Sequence, residues 1–331
     1  MSETLLKSVP FLVGPTASGK TEIALIIAEK LGSEIISADS RQLYQGMEIG
    51  SAQPNAAELG RIPHHFIACL EVQTTFSAGE YSRLARAKIV DLLDRQIVPL
   101  VVGGSGLYIA TLADDFFAGP SADPEIRSRF RQIAAAEGIQ RLYQELTKVD
   151  PDSAQKIMPT DYRRIERALE IYHLTGIPIS EMRKTKANPP PYHPIMVGLK
   201  WQRETLYARI NARCLKMLEM GLLEEVSRLW DQVRVSGDDA LIQCNALNSV
   251  GYAEVIRYFQ GGYDYAEMVR LFQRNSRRFA KRQISWFARD QRITWIPMDE
   301  FDDAQAVAAY VCELYSKAGI KAEIENRPVG D

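Results

Sequence analysis

The sequence predicts an α/β protein, in which a parallel β-sheet is covered by helices on both faces and interrupted by a helical insertion. Three observations support this fold class. A glycine-rich loop at residues 14–21 lies between a predicted strand and a predicted helix. Short apolar runs recur with helical patterns between most of them, which is typical of parallel sheets. A long stretch of helical periodicity, residues 119–193, separates the fourth run from the fifth.

The loop Gly14-Pro15-Thr16-Ala17-Ser18-Gly19-Lys20-Thr21 fits the phosphate-loop pattern G-x-x-x-x-G-K-[ST] at every fixed position. Glycine at both ends keeps side chains away, so that backbone N–H groups can surround an anion. The predicted helix, residues 20–31 with Gly32 at its end, directs its positive dipole end at that anion. Lys20 adds a positive charge, and the Thr21 hydroxyl can hold Mg²⁺. The loop therefore predicts a di- or triphosphate site in a P-loop NTPase-like sheet.

The order of the elements suggests how the chain is divided. Strands are predicted at residues 10–13, 34–37, 66–70, 98–102, 195–199 and 293–296. Glycine and proline at residues 119–120 and 189–191 flank the helical interruption, as is common at joints. We expect a first part of the core over residues 1–118, a helical insertion domain over 119–193, and the rest of the core over 194–331. A late helix is predicted near residues 303–317, and the polar end, 318–331, is expected to be frayed.

Composition limits the class of protein. With 46% hydrophobic and 25% charged residues, the 331-residue chain can bury an ordinary globular core. It has no apolar run long enough for a membrane span and no basic region followed by an apolar one at the N-terminus, so we expect a cytoplasmic protein. The four cysteines lie far apart without C-x-x-C spacing, which favours reduced, mostly buried thiols over a zinc site or disulfides. The net charge of −2 averages over strong local asymmetry.

Two predicted helices carry dense positive charge. Between Arg270 and Arg292 there are eight basic residues and one acidic residue, Asp290. On this helix one face carries Arg274, Arg278, Lys281, Arg282 and Ser285, and another, by which the helix is expected to pack, carries Phe272, Phe279 and Trp286. In the insertion, Arg163, Arg164 and Arg167 lie opposite Ile165, Leu169 and Tyr172. A single charge run is usually a solvated face, but two in one phosphate-loop protein favour an RNA partner.

Asp39 is the candidate for acid–base chemistry. It follows the second predicted strand, and ligands of open α/β sheets bind beyond the carboxyl ends of the strands, so Asp39 should face the phosphate loop. Three roles stay open: a cap of the next element, a ligand to Mg²⁺ through water, or a general base. The fourth strand ends in Gly103-Gly104-Ser105-Gly106, where an ATPase normally has an acidic residue. This weakens the case for nucleotide hydrolysis, and the glycines leave room for something bulky to approach the backbone.

Several segments, taken in order, resemble the tRNA dimethylallyltransferases. They are GPTASGKT at 14–21, SADSRQLY at 37–44, GMEIG at 46–50, VGGSGLY at 102–108, SADP at 121–124, DYRRIERALE at 161–170, VGY at 250–252 and KRQISWF at 281–287. The resemblance extends over about residues 9–297. It implies transfer of a dimethylallyl group from dimethylallyl diphosphate to N6 of the adenosine just 3′ of a tRNA anticodon, with Mg²⁺.

The resemblance also implies roles for single residues. Asp39 would be the base, and Thr16 and Arg213 would hold the diphosphate together with the loop. Without it, Arg213, with Arg209 one turn before, is better explained as part of a solvated helix face. The resemblance and the two basic helices together give the candidate tRNA contacts Asp39, Ser40, Arg41, Gln42, Ser105, Arg127, Arg163, Arg164, Arg167, Val250, Gly251, Tyr252, Arg278, Lys281, Arg282, Gln283 and Trp286. We expect the tRNA anticodon arm and dimethylallyl diphosphate as partners, no membrane partner, and a monomer.

Some residues depart from the family's pattern. Ser105 replaces a common threonine, and Ala253 and Ala288 each remove a possible phosphate contact. His64 and His65 are better explained as hydrogen-bonded residues at a strand start than as catalytic groups. The alternative functions are an ATP-dependent small-molecule kinase, a prenyltransferase acting on free AMP, and a non-enzymatic RNA-binding module.

Overall fold

The computed structural model describes residues 6–117, 119–185, 188–234 and 244–320. The strands of these residues are β1 Ser8–Val13, β2 Glu34–Ser37, β3 His64–His65, β4 Pro99–Gly103, β5 His193–Lys200 and β6 Thr294–Pro297. They form one sheet in the order β3-β2-β4-β1-β5-β6, and every neighbouring pair is parallel. The predicted parallel sheet is confirmed.

Five of the predicted strands overlap observed strands, but the strand predicted at residues 66–70 is wrong. The observed β3 ends at His65, and the next residues leave the extended conformation, with φ of 66° at Phe66 and 44° at Ala68. Left-handed residues cannot continue a regular ladder. The two histidines are hydrogen-bonded as expected, His64 Nδ1 to the Ile62 carbonyl and His65 Nε2 to Glu34, each at 2.7 Å.

Helices cover both faces of the sheet. They are α1 Lys20–Leu31, α2 Glu48–Ser51, α3 Ala56–Arg61, α4 Ala78–Asp94, α5 Gly106–Ala113, α11 Arg203–Glu219, α12 Leu222–Arg234, α13 Tyr252–Phe259, α14 Tyr265–Phe287 and α15 Ala304–Lys317. Successive residues of β1 enter different cores: Phe11 packs with residues of α4, α11 and α14, whereas Leu12 packs with residues of α1 and α15. Burial on both faces explains why the strands are continuous apolar runs.

The described residues divide into two compact units, one within residues 1–113 and 190–331 and the other within residues 114–189. The sheet belongs to the first unit. The second consists of α6 Pro124–Glu137, α7 Ile139–Val149, α8 Pro151–Ala154, α9 Tyr162–Thr175 and α10 Ile179–Thr185. Its own core includes the buried side chains of Phe130, Leu142, Leu146, Ile165 and Leu169. The polar end that was expected to be frayed lies mostly outside the described residues.

The four cysteines are all free thiols, as predicted. Cys214 and Cys244 are buried, whereas Cys69 is exposed. Among the described residues, no group of three or more His, Cys, Asp or Glu side chains is arranged to hold a metal ion. None of the described helices is both long and apolar enough to cross a membrane.

Glu170 is the ionic centre of the second unit. Its carboxylate is completely buried and accepts two hydrogen bonds from Arg127, at 2.8 and 3.0 Å, and one from Arg167 at 2.6 Å. The backbone N–H of Asp123 donates a further bond at 2.9 Å. Burial alone would raise the pKa of Glu170, but these hydrogen bonds outweigh it and lower the pKa.

Replacing Glu170 by Gln should lower the free energy of unfolding of the second unit by about 3–5 kcal/mol, because two guanidinium groups lose their shared buried charge. A carboxyl group with a lowered folded-state pKa stabilises the fold above its ordinary pKa and ceases to do so as the pH falls through the lowered value. The difference between variant and wild type should therefore shrink in acid. Hydrogen exchange of amides in α6 and α9, measured in the full chain, reports on this unit separately.

The matched control is Glu137→Gln, which removes an exposed ion pair of the same unit, Glu137 to Arg141 at 3.5 Å. It should cost no more than about 0.5 kcal/mol. Equal losses in the two variants would contradict the role given to Glu170.

Candidate active site

The phosphate loop runs directly from the end of β1 to the start of α1, with no other helix or strand between them. Gly19, which precedes α1, has a φ of 94° that only glycine adopts easily, and α1 ends at Gly32 as predicted. Ala17 also lies in the left-handed region, with a φ of 62°. A non-glycine residue held there is under strain, so neighbouring contacts must fix the loop.

Two side chains fix the loop from outside. The Nε of Arg209 donates a hydrogen bond of 3.0 Å to the carbonyl of Ala17. The guanidinium of Arg209 lies 4.5 Å from the ring centre of Trp201, whose Nε1 donates to the Ser18 carbonyl at 3.0 Å. The two bonds hold adjacent carbonyls, which explains how Ala17 keeps its conformation.

Inside the loop, Thr16 contacts two residues of distant helices. Its backbone N–H donates to Gln283 Oε1 at 2.9 Å, and its hydroxyl accepts from Arg213 Nη1 at 3.2 Å. Gln283 Nε2 donates in turn to the Gly104 carbonyl at 2.8 Å. One glutamine thus joins the loop, the residue after β4, and α14.

Lys20 lies folded against its own loop. Its Nζ donates to the Pro15 carbonyl at 2.7 Å and to the Ser18 hydroxyl at 3.5 Å. Removal from water lowers the pKa of Lys20 to about 8; the charge of Asp39 acts in the opposite direction, and that of Arg213 lowers the pKa further. Burial also lowers the pKa of Arg213. Lys20 and Arg213 lie close together and are poorly hydrated, which disfavours their charged forms. A bound anion offsets both effects, so the site favours an anion.

A cavity of about 330 Å³ contains these groups. Thr16, Lys20, Thr21, Asp39, Arg41, Gln42 and Arg213 contribute polar or charged parts of its lining, and Ala17, Ile210, Met217, Val250, Phe272 and Phe279 contribute apolar parts. All of them belong to the first unit. The cavity therefore combines an anion site with an apolar wall.

Asp39 lies just beyond β2 and lines the same cavity. Its Oδ1 accepts a hydrogen bond of 2.9 Å from the N–H of Arg41, which fits the capping role. Among the described residues no partner contacts Oδ2, so the capping bond leaves one oxygen for the roles of metal ligand or base. The geometry of this carboxylate is thus compatible with more than one of its expected roles.

The glycines after β4 accommodate the protein's own chain. A Cβ on Gly103 would lie 2.2 Å from the Ala38 carbonyl oxygen, and one on Gly104 would lie 2.5 Å from Gln283 Nε2. A Cβ on Gly106 would lie 2.3 Å from the ring of Trp286. The groups that approach this backbone are therefore side chains of α14 and the backbone of Ala38, the residue after β2.

The expected tRNA contacts near Asp39 form one local network. Arg41 and Gln42 line the cavity, and Ser40 lies between them and Asp39 in the chain. Gln42 Nε2 donates to the Ala52 carbonyl at 2.9 Å, while its Oε1 accepts from the Ser37 hydroxyl at 3.0 Å. Arg41 Nη1 donates to the Asn245 carbonyl at 2.7 Å. Ser105 is partly exposed and directly precedes α5.

The faces of α14 differ from those predicted. The buried positions are Met268, Phe272, Ser276, Ala280, Gln283 and Phe287. Phe279 instead lines the cavity, and Trp286 is 38% exposed. Arg278, Lys281 and Arg282 are exposed, and among the described residues no carboxylate pairs with them. Arg278, Lys281 and Arg282 are exposed as the pattern predicts, but of the three aromatic residues expected on the packing face only Phe272 is buried.

Gln283 and Tyr252 do not have the free side chains expected of RNA contacts. Gln283 is 6% exposed and its amide is bonded at both ends within the protein. Tyr252 is 1% exposed and donates its hydroxyl hydrogen to Glu225 at 2.6 Å. Gly251, with a φ of 95°, would place a Cβ 3.1 Å from Phe272. Both side chains support the cavity wall, and the expectation that they contact tRNA directly stays a prediction; Val250 is partly buried and lines the cavity.

The basic residues of the second unit differ from one another. Arg127 and Arg167 are engaged with Glu170, and Arg167 also donates to the Pro120 carbonyl at 2.7 Å. Arg163 and Arg164 are exposed, with Arg164 3.5 Å from Asp161. Of these four arginines, Arg127 and Arg167 therefore stabilise the unit, whereas Arg163 and Arg164 face solvent.

The sequence interpretation missed three supporting residues: Arg209, Trp201 and Glu225. No local pattern marks them, because each acts on a segment far away in the chain. The glycines at positions 50, 104 and 106 give no signal for these three, because the side chains that approach them belong to Tyr252, Gln283 and Trp286.

The lowered pKa of Lys20 predicts a pH-dependent affinity for inorganic pyrophosphate. A lysine is charged below its pKa, so attraction for the anion should weaken, by roughly 10- to 100-fold, as the pH rises through about 8 and beyond. Isothermal titration calorimetry measures this directly. The control is Lys20→Arg, which stays charged and should follow only the titration of pyrophosphate itself. Parallel pH profiles for the two proteins would contradict the prediction.

Comparison with known proteins places this geometry in a family. The model of the IPP transferase family matches residues 42–290. The tRNA dimethylallyltransferase of Pelotomaculum thermopropionicum is 42% identical over 305 residues, which are 91% of this chain and 95% of that protein. The protein of the same name from Bacillus subtilis is 40% identical over 292 residues, 88% and 90% of the two chains.

Solved structures agree. The tRNA isopentenylpyrophosphate transferase of Bacillus halodurans matches with a TM-score of 0.67 and 36% identity, over 95% of this chain and 98% of that one. A eukaryotic dimethylallyltransferase acting on tRNA has the same fold, with a TM-score of 0.80 at 24% identity, over 97% and 82% of the chains. The chain belongs to the IPP transferase family.

Proposed function

We propose that this enzyme transfers a dimethylallyl group from dimethylallyl diphosphate to N6 of the adenosine 3′-adjacent to the anticodon in tRNA. The observation that carries the proposal is the cavity in which Lys20, Arg213 and Thr16 lie together with one carboxylate, Asp39, and an apolar wall. The names of relatives about 40% identical to this chain support the same reaction.

The cationic end of the cavity suits a diphosphate leaving group. As the bond between the allylic carbon and oxygen breaks, negative charge grows on the diphosphate and must be neutralised. Lys20 and Arg213 supply charge, the Thr16 hydroxyl is positioned by Arg213, and amides of the loop of residues 14–21 supply donors. These residues bind the diphosphate whether it is part of the substrate or the product.

Mg²⁺ is the metal we propose. Mg²⁺ is usually held by one or two protein oxygens and otherwise by water and phosphate oxygens. The Thr21 hydroxyl lines the cavity beside Lys20, and no larger ligand cluster is found in the described residues, so this sparse donor set fits Mg²⁺. When bound to the diphosphate, Mg²⁺ would offset part of its negative charge.

Asp39 is proposed as the general base. The lone pair of the exocyclic amine is delocalised into the adenine ring, so loss of a proton must accompany attack on the allylic carbon. A C–N bond forms, the C–O bond breaks, diphosphate leaves, and the N6 proton passes to Asp39. The bond from the Arg41 N–H fixes one oxygen of Asp39 and leaves the other for the proton. The adenine must leave its stack to reach the cavity beside Arg41 and Gln42.

The exposed cations of α14 are proposed to bind tRNA phosphates, since Arg278, Lys281 and Arg282 form a stripe without acidic partners among the described residues. In the second unit, the exposed Arg163 and Arg164 are also proposed to bind tRNA phosphates. Contact with tRNA is therefore the proposed role of the helical insertion. A monomer and a cytoplasmic location complete the proposal.

Replacing Asp39 by Asn tests the base. Asparagine keeps an acceptor for the Arg41 N–H but cannot take the proton, so prenyl transfer should fall by about 10²- to 10⁴-fold. The measurement is single-turnover transfer of labelled dimethylallyl to unmodified tRNA. Affinity for inorganic pyrophosphate should stay within a few fold of wild type. Unchanged turnover would remove Asp39 from the mechanism.

Replacing both Arg278 and Lys281 by Ala tests the RNA surface. Each lost phosphate contact should reduce the slope of log affinity against log salt by about one, and the weakening should be similar for different tRNA sequences. The control is Arg270→Ala on the same helix, because Arg270 is already paired with Glu267 at 2.5 Å. An unchanged salt slope in the double variant would contradict the proposed surface.

These variants also separate the alternatives. A small-molecule kinase would transfer phosphate from ATP, and an enzyme acting on free AMP would be indifferent to the double variant on α14. A non-enzymatic RNA-binding module would show no turnover and no effect of Asp39→Asn. Membership of the IPP transferase family favours prenyl transfer over all three.

A further inference from the structure

Glu225 is a buried carboxylate on α12 whose oxygens are directed at the cavity wall. Its Oε2 accepts a hydrogen bond of 2.7 Å from the backbone N–H of Ile49, and its Oε1 accepts one of 2.9 Å from the N–H of Gly50. The hydroxyl of Tyr252 donates to Oε1 at 2.6 Å. The residue is 5% exposed, and among the described residues no cation pairs with it. A buried charge held only by hydrogen bonds fixes the positions of its donors strongly.

Two of these three donors, Gly50 and Tyr252, lie in two different segments of the cavity lining, and Ile49 directly precedes the first segment. Gly50, Ser51 and Ala52 form one segment, and Val250 and Tyr252 belong to the other. The ring of Tyr252 lies so close to Gly50 that a Cβ there would be 2.5 Å from ring atoms. Burial, followed by the charge of Glu225 and its hydrogen bond, raises the pKa of Tyr252, so this hydroxyl remains a donor. Glu225 and Tyr252 therefore clamp one wall segment to the other.

The wall continues to the residues beside Asp39. The carbonyl of Ala52, a residue with a φ of 50°, accepts the bond from Gln42 Nε2. Gln53 Nε2 donates to the carbonyls of Gln42 at 3.3 Å and Tyr44 at 2.7 Å. Through residues 49–53, the carboxylate of Glu225 thus determines where Gln42 and its backbone lie. The anion end has different supports, Arg209, Trp201 and Gln283.

We propose that Glu225 is a positioning residue for the acceptor nucleobase: it fixes the wall of residues 50–52 and Tyr252 so that Gln42 presents a defined hydrogen-bonding edge next to Asp39. This inference rests on the proposed function, because it assigns the nucleobase to the Gln42 side of the cavity. The effect acts on the acceptor alone, since the diphosphate end shares none of the hydrogen bonds made by Glu225.

The test is Glu225→Gln in the full chain. A glutamine has the same shape, but its NH₂ group must face either the Ile49 N–H or the Gly50 N–H, so one wall bond is lost. The kcat/KM for tRNA, measured at saturating dimethylallyl diphosphate, should fall by roughly 10- to 100-fold. The fall can come from a higher KM for tRNA or from a lower kcat. Affinity for inorganic pyrophosphate should stay near wild type, and the melting temperature should fall by only a few degrees, because one buried hydrogen bond is lost. A role in folding alone would instead lower the melting temperature without separating tRNA from pyrophosphate.

The matched control is Glu224→Gln, which removes an exposed charge one residue away and should behave as wild type. A second variant, Tyr252→Phe, keeps the ring against Gly50 and removes one donor; it should show the same selective loss for tRNA, smaller in size. This variant decides the question if Glu225→Gln does not fold. Unchanged tRNA kinetics in Tyr252→Phe, or a parallel loss of pyrophosphate affinity in Glu225→Gln, would overturn the proposal.

Hydrogen exchange of the Ile49 and Gly50 amides separates this inference from the proposed function. Protection of both amides should fall in Glu225→Gln and not in Glu224→Gln, whatever the enzyme's substrate. If wild type transfers no dimethylallyl group to tRNA while the amides behave as expected, the proposed function fails, but the role of Glu225 in holding the two wall segments together stands. If wild type is active and the amides are unaffected, only the role given to Glu225 is contradicted.

Discussion

The arrangement of the site depends on the contact of α14 with the backbone at the carboxyl edge of the sheet. Gln283 is buried there and joins the Thr16 N–H to the Gly104 carbonyl. Because the glutamine satisfies one backbone donor and one backbone acceptor, moving α14 would cost both hydrogen bonds. The missing side chains at Gly104 and Gly106 make the approach possible. The same helix carries the exposed cations, so α14 connects the phosphate loop to the basic surface.

Charge is distributed unevenly in the cavity. Lys20 and Arg213 are held where water is scarce, which lowers the pKa of both groups, and Asp39 opposes this effect. Such a site is incompletely balanced until an anion binds, and it gains most from a ligand whose negative charge increases during reaction. The apolar wall formed by Ile210, Met217 and Phe272 lies in the same cavity and suits a hydrocarbon chain attached to that anion. The chemistry proposed here uses both parts.

Much of this could be predicted from sequence because it is local. The phosphate loop, the bounds of α1 and the position of Asp39 after a strand follow from short patterns with a direct geometric meaning. The strand predicted at residues 66–70 failed because its apolar residues include two left-handed ones, which no periodicity reveals. The packing face of α14 was misassigned because it contains Ser276, Ala280 and Gln283, so hydrophobicity alone does not mark it. Glu225 and Arg209 act across more than a hundred residues, and only the folded chain brings them to their partners.

The most direct test of the central claim is to incubate the wild-type enzyme with Mg²⁺, labelled dimethylallyl diphosphate and unmodified tRNA, and then to digest the tRNA to nucleosides. The account predicts label in N6-dimethylallyladenosine derived from the position 3′ of the anticodon, with release of diphosphate. Unlabelled tRNA, or label that is found only in a nucleoside other than N6-dimethylallyladenosine, would contradict it.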